Sequence, residues 1–144
     1  MNNKIGMIAD YLGANQTMRD FIDDIVEENY KDPEKPLYNE NSEFIYKNRI
    51  EEFINQDNNI KDLNQEEYDL LVNLIIKDIL HKIEAKTNAH MQAEIAANNE
   101  QYVDYYGSSK SAYNHQLEHY LEGYNYNKTI YDFYNEYKSK QKIK

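Results

Sequence analysis

The sequence has no cysteine, and it has only two prolines and four glycines among its 144 residues. Without cysteine the chain cannot form a disulfide or use a thiolate, which is typical of proteins from a reducing cytosol. Proline and glycine interrupt helices more strongly than other residues, so their scarcity favours long helical segments. These absences exclude a disulfide-stapled domain and any cysteine-based catalysis.

Long apolar runs are also absent, because no segment approaches the roughly 18 consecutive apolar residues of a membrane span. Asp10 interrupts the one N-terminal run that could serve as the core of a signal peptide. We therefore expect a protein of the bacterial cytoplasm, without a membrane partner. The many Asn, Lys, Ile and Tyr residues are typical of AT-rich coding DNA and favour a low-GC bacterium or its phage as the source.

The charge balance is strongly acidic, with 26 Asp and Glu against 16 Lys and Arg and a formal net charge of −10. Residues 1–60 carry a net charge of −7 and residues 61–109 carry −5, whereas residues 110–144 carry +2. Affinity for phosphates comes from clustered Lys and Arg, so this balance argues against direct binding of nucleic acid. A basic protein is the favoured partner, and the oligomeric state is left open.

Apolar residues recur at helical spacing along most of the chain, and no alternating strand pattern competes with them. The sequence therefore predicts an all-α fold, a compact or somewhat elongated bundle of five to six helices in one domain, 1–144. Its expected parts are an acidic segment at 1–60, a long central helix at 64–106 and tyrosine-rich helices at 109–142.

The long central helix is predicted because no glycine or proline lies between residues 62 and 106. A break near Thr87 and Asn88 is the alternative. We expect its apolar face to form the centre of the core, with Leu71, Ile75, Ile79 and Ile83 buried. Capping patterns predict where the helices begin: Thr17 with Asp20, Asn41 or Ser42, Asn64 with Glu67, Ser108 or Ser109 after Gly107, and Asn125 or Asn127.

A stripe of carboxylates runs along the helix that is predicted to begin at the Thr17 and Asp20 pattern and to reach about Tyr30, on the side opposite its apolar residues. Carboxylates one helical turn apart stand about 5–6 Å apart, close to the spacing of phosphates along a nucleic-acid strand, so such a stripe can imitate nucleic acid. A solvated helix face is the simpler interpretation. The stripe comprises Asp20, Asp23, Asp24, Glu27 and Glu28, and Glu51, Glu52 and Asp57 continue the charge on the next helix.

Tyrosine is concentrated in the last third of the chain, where one helical stripe cannot bury every ring. Tyr126 and Tyr131 fall off the predicted apolar faces. Tyrosine is favoured in protein interfaces because it offers a large contact area with little loss of entropy. We therefore expect Tyr126 and Tyr131 to anchor a protein partner, with ordinary core and rim tyrosines as the alternative.

Three histidines are candidate metal ligands, although no cofactor is expected. His115 and His119 belong to an HxxEH sequence that resembles the motif of inverted zinc proteases, in which Glu118 would activate water. That family implies a third, acidic ligand far downstream in a larger α/β domain, and only 25 residues follow His119. His81, flanked by Asp78 and Glu84 at helical spacing, could join the same two histidines in a site between helices.

Two carboxylate pairs, Glu40 with Glu43 and Glu66 with Asp69, resemble the magnesium-binding pattern of all-α nucleotide pyrophosphohydrolases. Both pairs fall at the predicted N-terminal starts of their helices, and consecutive helices joined by a short loop run antiparallel. The pairs are therefore expected to lie roughly 20 Å apart, too far to share an ion. Acidic residues are also favoured in the first turns of helices without any metal.

The short, acidic and motif-poor profile resembles phage and mobile-element inhibitors of host defence, such as anti-CRISPR and anti-restriction proteins. The resemblance implies a non-enzymatic inhibitor that blocks a basic, nucleic-acid-binding protein such as a nuclease, by imitating DNA. One alternative is an immunity or adaptor protein that masks a toxin. A metal-dependent nucleotide pyrophosphohydrolase is the enzymatic alternative.

Overall fold

The computed structural model describes residues 4–30, 34 and 36–143. Within this part of the chain there are seven α-helices and no strand, so the all-α class is confirmed. The predicted count of five to six helices is wrong. The helices are α1 (Lys4–Ala14), α2 (Gln16–Tyr30), α3 (Lys47–Gln56), α4 (Gln65–Ala97), α5 (Glu100–Tyr106), α6 (Ser109–Gly123) and α7 (Ile130–Ile143).

The chain forms two compact units. The first unit comprises Met1–Leu80 and Lys128–Lys144, and the second comprises His81–Asn127. Helix α4 is the long central helix expected from the sequence, and it contributes residues to both units.

The first unit has a large aliphatic core. Helix α1 packs against α7 and α2, and the buried face of α4 supplies Leu71, Ile75 and Ile79, none of which is accessible to solvent. Ile83, the fourth predicted core residue, is only half-buried and belongs to the second unit. The other large, fully buried side chains of the first unit are Leu12, Met18, Ile25, Val26, Ile50, Leu74 and Ile130.

The second unit is built on small side chains. One side of α4 carries four buried alanines, and α6 adds buried Ala112. Nδ1 of His90 on α4 is hydrogen-bonded to the hydroxyl of Tyr113 on α6, and the two rings are in contact. Burying an alanine costs almost no side-chain entropy, so little conformational entropy is lost when these side chains are packed. The buried alanines of α4 are Ala85, Ala89, Ala93 and Ala96.

The long helix ends at Ala97 and does not reach residue 106 as predicted. The backbone of Asn99 is extended (φ −97°, ψ 117°), and its side chain accepts hydrogen bonds from the backbone of Gln101 and Tyr102. Asn99 is therefore the N-cap of α5, because its carboxamide satisfies amides that a continuous helix would bond itself. The alternative break at Thr87 and Asn88 is also wrong, since both are helical.

Several predicted helix starts are confirmed. Asn64 and Glu67 exchange hydrogen bonds of 2.9 and 2.8 Å in a capping box ahead of α4. Gly107 ends α5 with a left-handed backbone (φ 90°), and the Ser108 side chain caps α6 through the amide of Ser111.

Other predicted starts are corrected. The α2 cap is Asn15 and not Thr17, because Asn15 Oδ1 accepts from the Met18 amide at 2.9 Å. Helix α3 begins at Lys47 and not near Asn41 or Ser42. Helix α7 begins at Ile130 behind a capping box of Thr129 and Asp132, and not at Asn125 or Asn127.

Candidate protein-binding surfaces

The carboxylate stripe of α2 lies opposite a fully buried apolar face. Asp20, Asp24 and Glu28, spaced four residues apart, are exposed, while Asp23 and Glu27 are half-buried. On the other side of the helix Met18, Ile22, Ile25 and Val26 are buried in the first unit. The helix is therefore held by its core face, and its exposed carboxylates stand at an axial interval of about 6 Å.

Helix α3 lies beside α2, with the Phe21 and Phe53 ring centroids 4.9 Å apart. Nη1 of Arg49 donates to Oε2 of Glu28 at 3.2 Å, and its guanidinium lies 6.0 Å from the Phe21 ring. Exposed ion pairs of this kind add little stability, but this one neutralises part of the acidic surface. Glu28 is therefore partly neutralised, and Asp20 and Asp24 are the other exposed carboxylates of the stripe.

Glu51 and Glu52 of α3, which are predicted to continue the carboxylate stripe, differ in exposure. Glu52 is exposed, and its Oε1 accepts from Gln56 at 3.4 Å. Glu51 is half-buried, and its Oε2 accepts from the Tyr68 hydroxyl at 3.4 Å. Partial burial, and secondly the negative charge of Glu51, raise the pKa of Tyr68 above its usual value. Glu51 is thus tied to α4, whereas Glu52 faces solvent.

Asp57 is part of a polar cluster that the sequence analysis missed. The Tyr11 hydroxyl donates to Asp57 Oδ2 at 3.1 Å and accepts from the carboxamides of Asn15, at 3.2 Å, and Asn59, at 3.1 Å. The cluster lines an open cavity of about 350 Å³ beside Phe53. No sequence motif predicts this cluster, because Tyr11 lies on α1 and Asp57 follows the end of α3, 46 residues further along the chain.

The two tyrosines expected to be anchors have different environments. Tyr126 is half-buried in the second unit, with the ammonium groups of Lys82 and Lys86 at 5.7 and 5.9 Å from its ring centroid. Tyr131 is exposed in the first unit and lines an open groove of about 260 Å³ between α1 and α7, beside Met7 and Lys138. Tyr131 is therefore the more accessible of the two.

The most exposed large apolar side chains are others that the sequence analysis did not single out. Among the described residues they include Met7, Met91, Ile95 and Tyr105. The helical spacing predicts which residues share a helix face, but it does not predict which of these faces a neighbouring helix covers.

The three candidate histidines belong to the second unit and make other contacts there. His81 Nε2 lies 2.9 Å from the Asn125 carbonyl oxygen, and the His115 ring stacks on Tyr106 with centroids 4.7 Å apart. The His119 ring meets Tyr120 edge-on. In the part of the chain that the structure describes, no three His, Asp or Glu side chains are grouped so that they could hold a metal ion.

The carboxylate pairs that resemble the pyrophosphohydrolase pattern do not both begin helices. Glu66 and Asp69 lie in the exposed start of α4. Glu40 and Glu43 precede α3, in an exposed turn where Asn39 Oδ1 accepts from the Glu43 amide at 3.0 Å. The prediction that both pairs occupy first helical turns is therefore wrong for Glu40 and Glu43.

Chelator should leave the thermal unfolding midpoint of the protein unchanged, because the core consists of apolar side chains that need no metal to pack. The measurement compares melts by circular dichroism with and without excess EDTA. A lower midpoint in EDTA that zinc restores would show a metal site. The variant His115→Ala/His119→Ala would then test whether the HxxEH histidines supply it.

The described residues thus define an acidic all-α protein that presents a carboxylate-bearing helix and several exposed apolar side chains. No protein-family model, curated protein or solved structure matches the chain. Across the described residues, no helix combines the length and the apolar character that crossing a membrane requires.

Proposed function

We propose that this protein is a non-enzymatic inhibitor that binds a basic protein and blocks its nucleic-acid-binding cleft. The partner is a nuclease or another DNA-handling protein of a bacterial host, and the inhibitor is of the anti-CRISPR or anti-restriction type encoded by phages and mobile elements. One observation carries the proposal: α2 has one fully buried face and a line of exposed carboxylates on the other.

A rigid line of carboxylates suits this role for two physical reasons. Its spacing of about 6 Å per four residues lets successive carboxylates meet successive basic side chains that otherwise bind phosphates. Burial of Met18, Ile22 and Ile25 holds the helix in place before binding, so little conformational entropy is lost on association. The net charge of −10 adds long-range attraction toward a basic cleft.

The charge-reversal variant Asp20→Lys/Asp24→Lys should weaken binding to the partner by about tenfold or more, because both side chains are exposed on α2. A partner is first recovered by pull-down from a low-GC bacterial lysate. Its binding to the protein is then measured between about 50 and 200 mM salt, where screening of exposed charges increases steeply. Wild-type affinity should fall with salt, and the protein should displace duplex DNA from the partner.

The matched control is Glu40→Lys/Glu43→Lys, which makes the same change of charge at exposed positions outside the helices. It should keep most of the affinity, because it changes the net charge but not the α2 stripe. Equal losses in both variants would mean that only net charge matters. Binding that is insensitive to salt, or a partner that holds DNA undisturbed, would contradict the proposed function.

A further inference from the structure

The second unit exposes apolar side chains on the side of α4 that faces away from its buried alanines. Met91 and Ile95 are 53% and 56% exposed, whereas Ala89 and Ala93 are fully buried. Residues four apart lie on one helix face, so Met91 and Ile95 are neighbours one turn apart. Contiguous exposed apolar patches mark sites of interaction more often than singly scattered side chains do.

Helix α5 of the same unit adds two exposed tyrosines, Tyr102 and Tyr105, which are 44% and 82% exposed. Tyr105 meets the Tyr106 ring edge-on at 4.9 Å, and Tyr106 in turn stacks on His115 of α6. These contacts hold Tyr105 beside a second ring although it projects into solvent. An aromatic ring that is already oriented loses little entropy when a partner covers it.

The charges on the stretch of chain that carries these residues decide which occupant is suitable. Between residues 87 and 109 the chain carries Glu94, Glu100 and Asp104 but no Lys or Arg. A symmetric contact between two copies through this surface would set these carboxylates against their own counterparts, and like charges facing each other destabilise an interface. The surface is therefore complementary to a partner that combines apolar side chains with Lys or Arg.

We propose that Met91 and Ile95, with Tyr102 and Tyr105, form a docking surface for a cationic amphipathic helix of another protein. The apolar stripe of that helix covers Met91 and Ile95, as in other complexes that hold an amphipathic helix by anchors at i, i+3 and i+4. Its flanking Lys or Arg side chains meet the neighbouring carboxylates, among them Glu94. The surface belongs to the second unit and does not depend on the α2 stripe of the first.

The probe is a fluorescently labelled synthetic peptide of about 18 residues, or five turns, made of Leu and Lys with leucine at i, i+3, i+4 and i+7. Fluorescence anisotropy measures its binding to the full-length protein at physiological salt. A scrambled peptide of the same composition, without an apolar stripe, is the control for attraction by net charge. The amphipathic peptide should bind about tenfold more tightly than the scrambled one.

The variant Met91→Ser/Ile95→Ser should lose about tenfold in affinity for the amphipathic peptide while its thermal midpoint stays unchanged, since both side chains are exposed. Tyr105→Ser is a second variant that removes no buried group, and it should also weaken binding. Asp20→Lys/Asp24→Lys should bind the peptide nearly as tightly as wild type. The charge-reversal test of the proposed function is therefore independent of this peptide-binding test.

Three results would overturn the proposal. The first is that the scrambled peptide binds as tightly as the amphipathic one. The second is that the serine variants leave peptide affinity unchanged. Sedimentation could instead show a dimer of the wild-type protein that Met91→Ser/Ile95→Ser converts to monomer, in which case a second copy covers the face.

Discussion

Replacing Ile79 by alanine should lower the free energy of unfolding by about 3 kcal/mol, because it removes buried methyl and methylene groups and leaves a cavity. Ile79 is completely inaccessible to solvent and lies on the α4 face that also buries Leu71 and Ile75. Native packing is dense enough that the surroundings refill such a space only in part. Urea unfolding followed by circular dichroism gives the change.

Ile95→Ala is the matched control, since it makes the same substitution on the same helix at a position that is 56% exposed. It should change the free energy of unfolding by less than about 0.5 kcal/mol. If Ile79→Ala cost as little as Ile95→Ala, the buried face of α4 would not be a centre of the core. A changed slope against urea would instead indicate that the two units unfold separately.

Tyr11→Phe should destabilise the protein by about 1–2 kcal/mol, although the ring is kept, because one hydroxyl bonds three polar side chains. Without it, the Asp57 carboxylate loses a donor, and the carboxamides of Asn15 and Asn59 lose their acceptor. All of these groups except Asn59 are half-buried, so solvent replaces the lost bonds incompletely. The measurement is the shift of the urea midpoint at constant slope.

Tyr105→Phe controls for loss of a hydroxyl as such, and it should have almost no effect because Tyr105 is 82% exposed. A double-mutant cycle then isolates the pair: Tyr11→Phe and Asp57→Asn should be non-additive if the two groups act through their shared hydrogen bond. Additive effects would argue that each side chain acts through other contacts.

The candidate binding residues could be predicted only in part. The helical spacing of the apolar residues in α2 correctly placed Asp20, Asp24 and Glu28 on its exposed side. It could not predict that Arg49 would pair with Glu28 or that Glu51 would be tied to Tyr68, because those partners come from other helices. The uncovered Met91 and Ile95 were missed for the same reason.

The sequence by itself determined the features that depend on neighbours within about one or two turns. The helical period gave the all-α class, the Asn64 and Glu67 side chains gave the start of α4, and Gly107 gave the end of α5. Each rests on contacts between residues only a few positions apart, which a linear pattern records directly.

Only the tertiary structure decided which faces are covered and how long α4 remains continuous. Helix α4 ends just before the Asn99 cap of α5 although no Gly or Pro lies between residues 62 and 106. An asparagine side chain competes for backbone amides at a cap but also occurs inside helices, as Asn88 does in α4, so the residue type alone does not predict the break. Tyr126 is half-buried and Tyr105 exposed although both belong to the same tyrosine-rich region. Their burial depends on side chains that are distant in sequence, and a linear pattern does not record which of these meet.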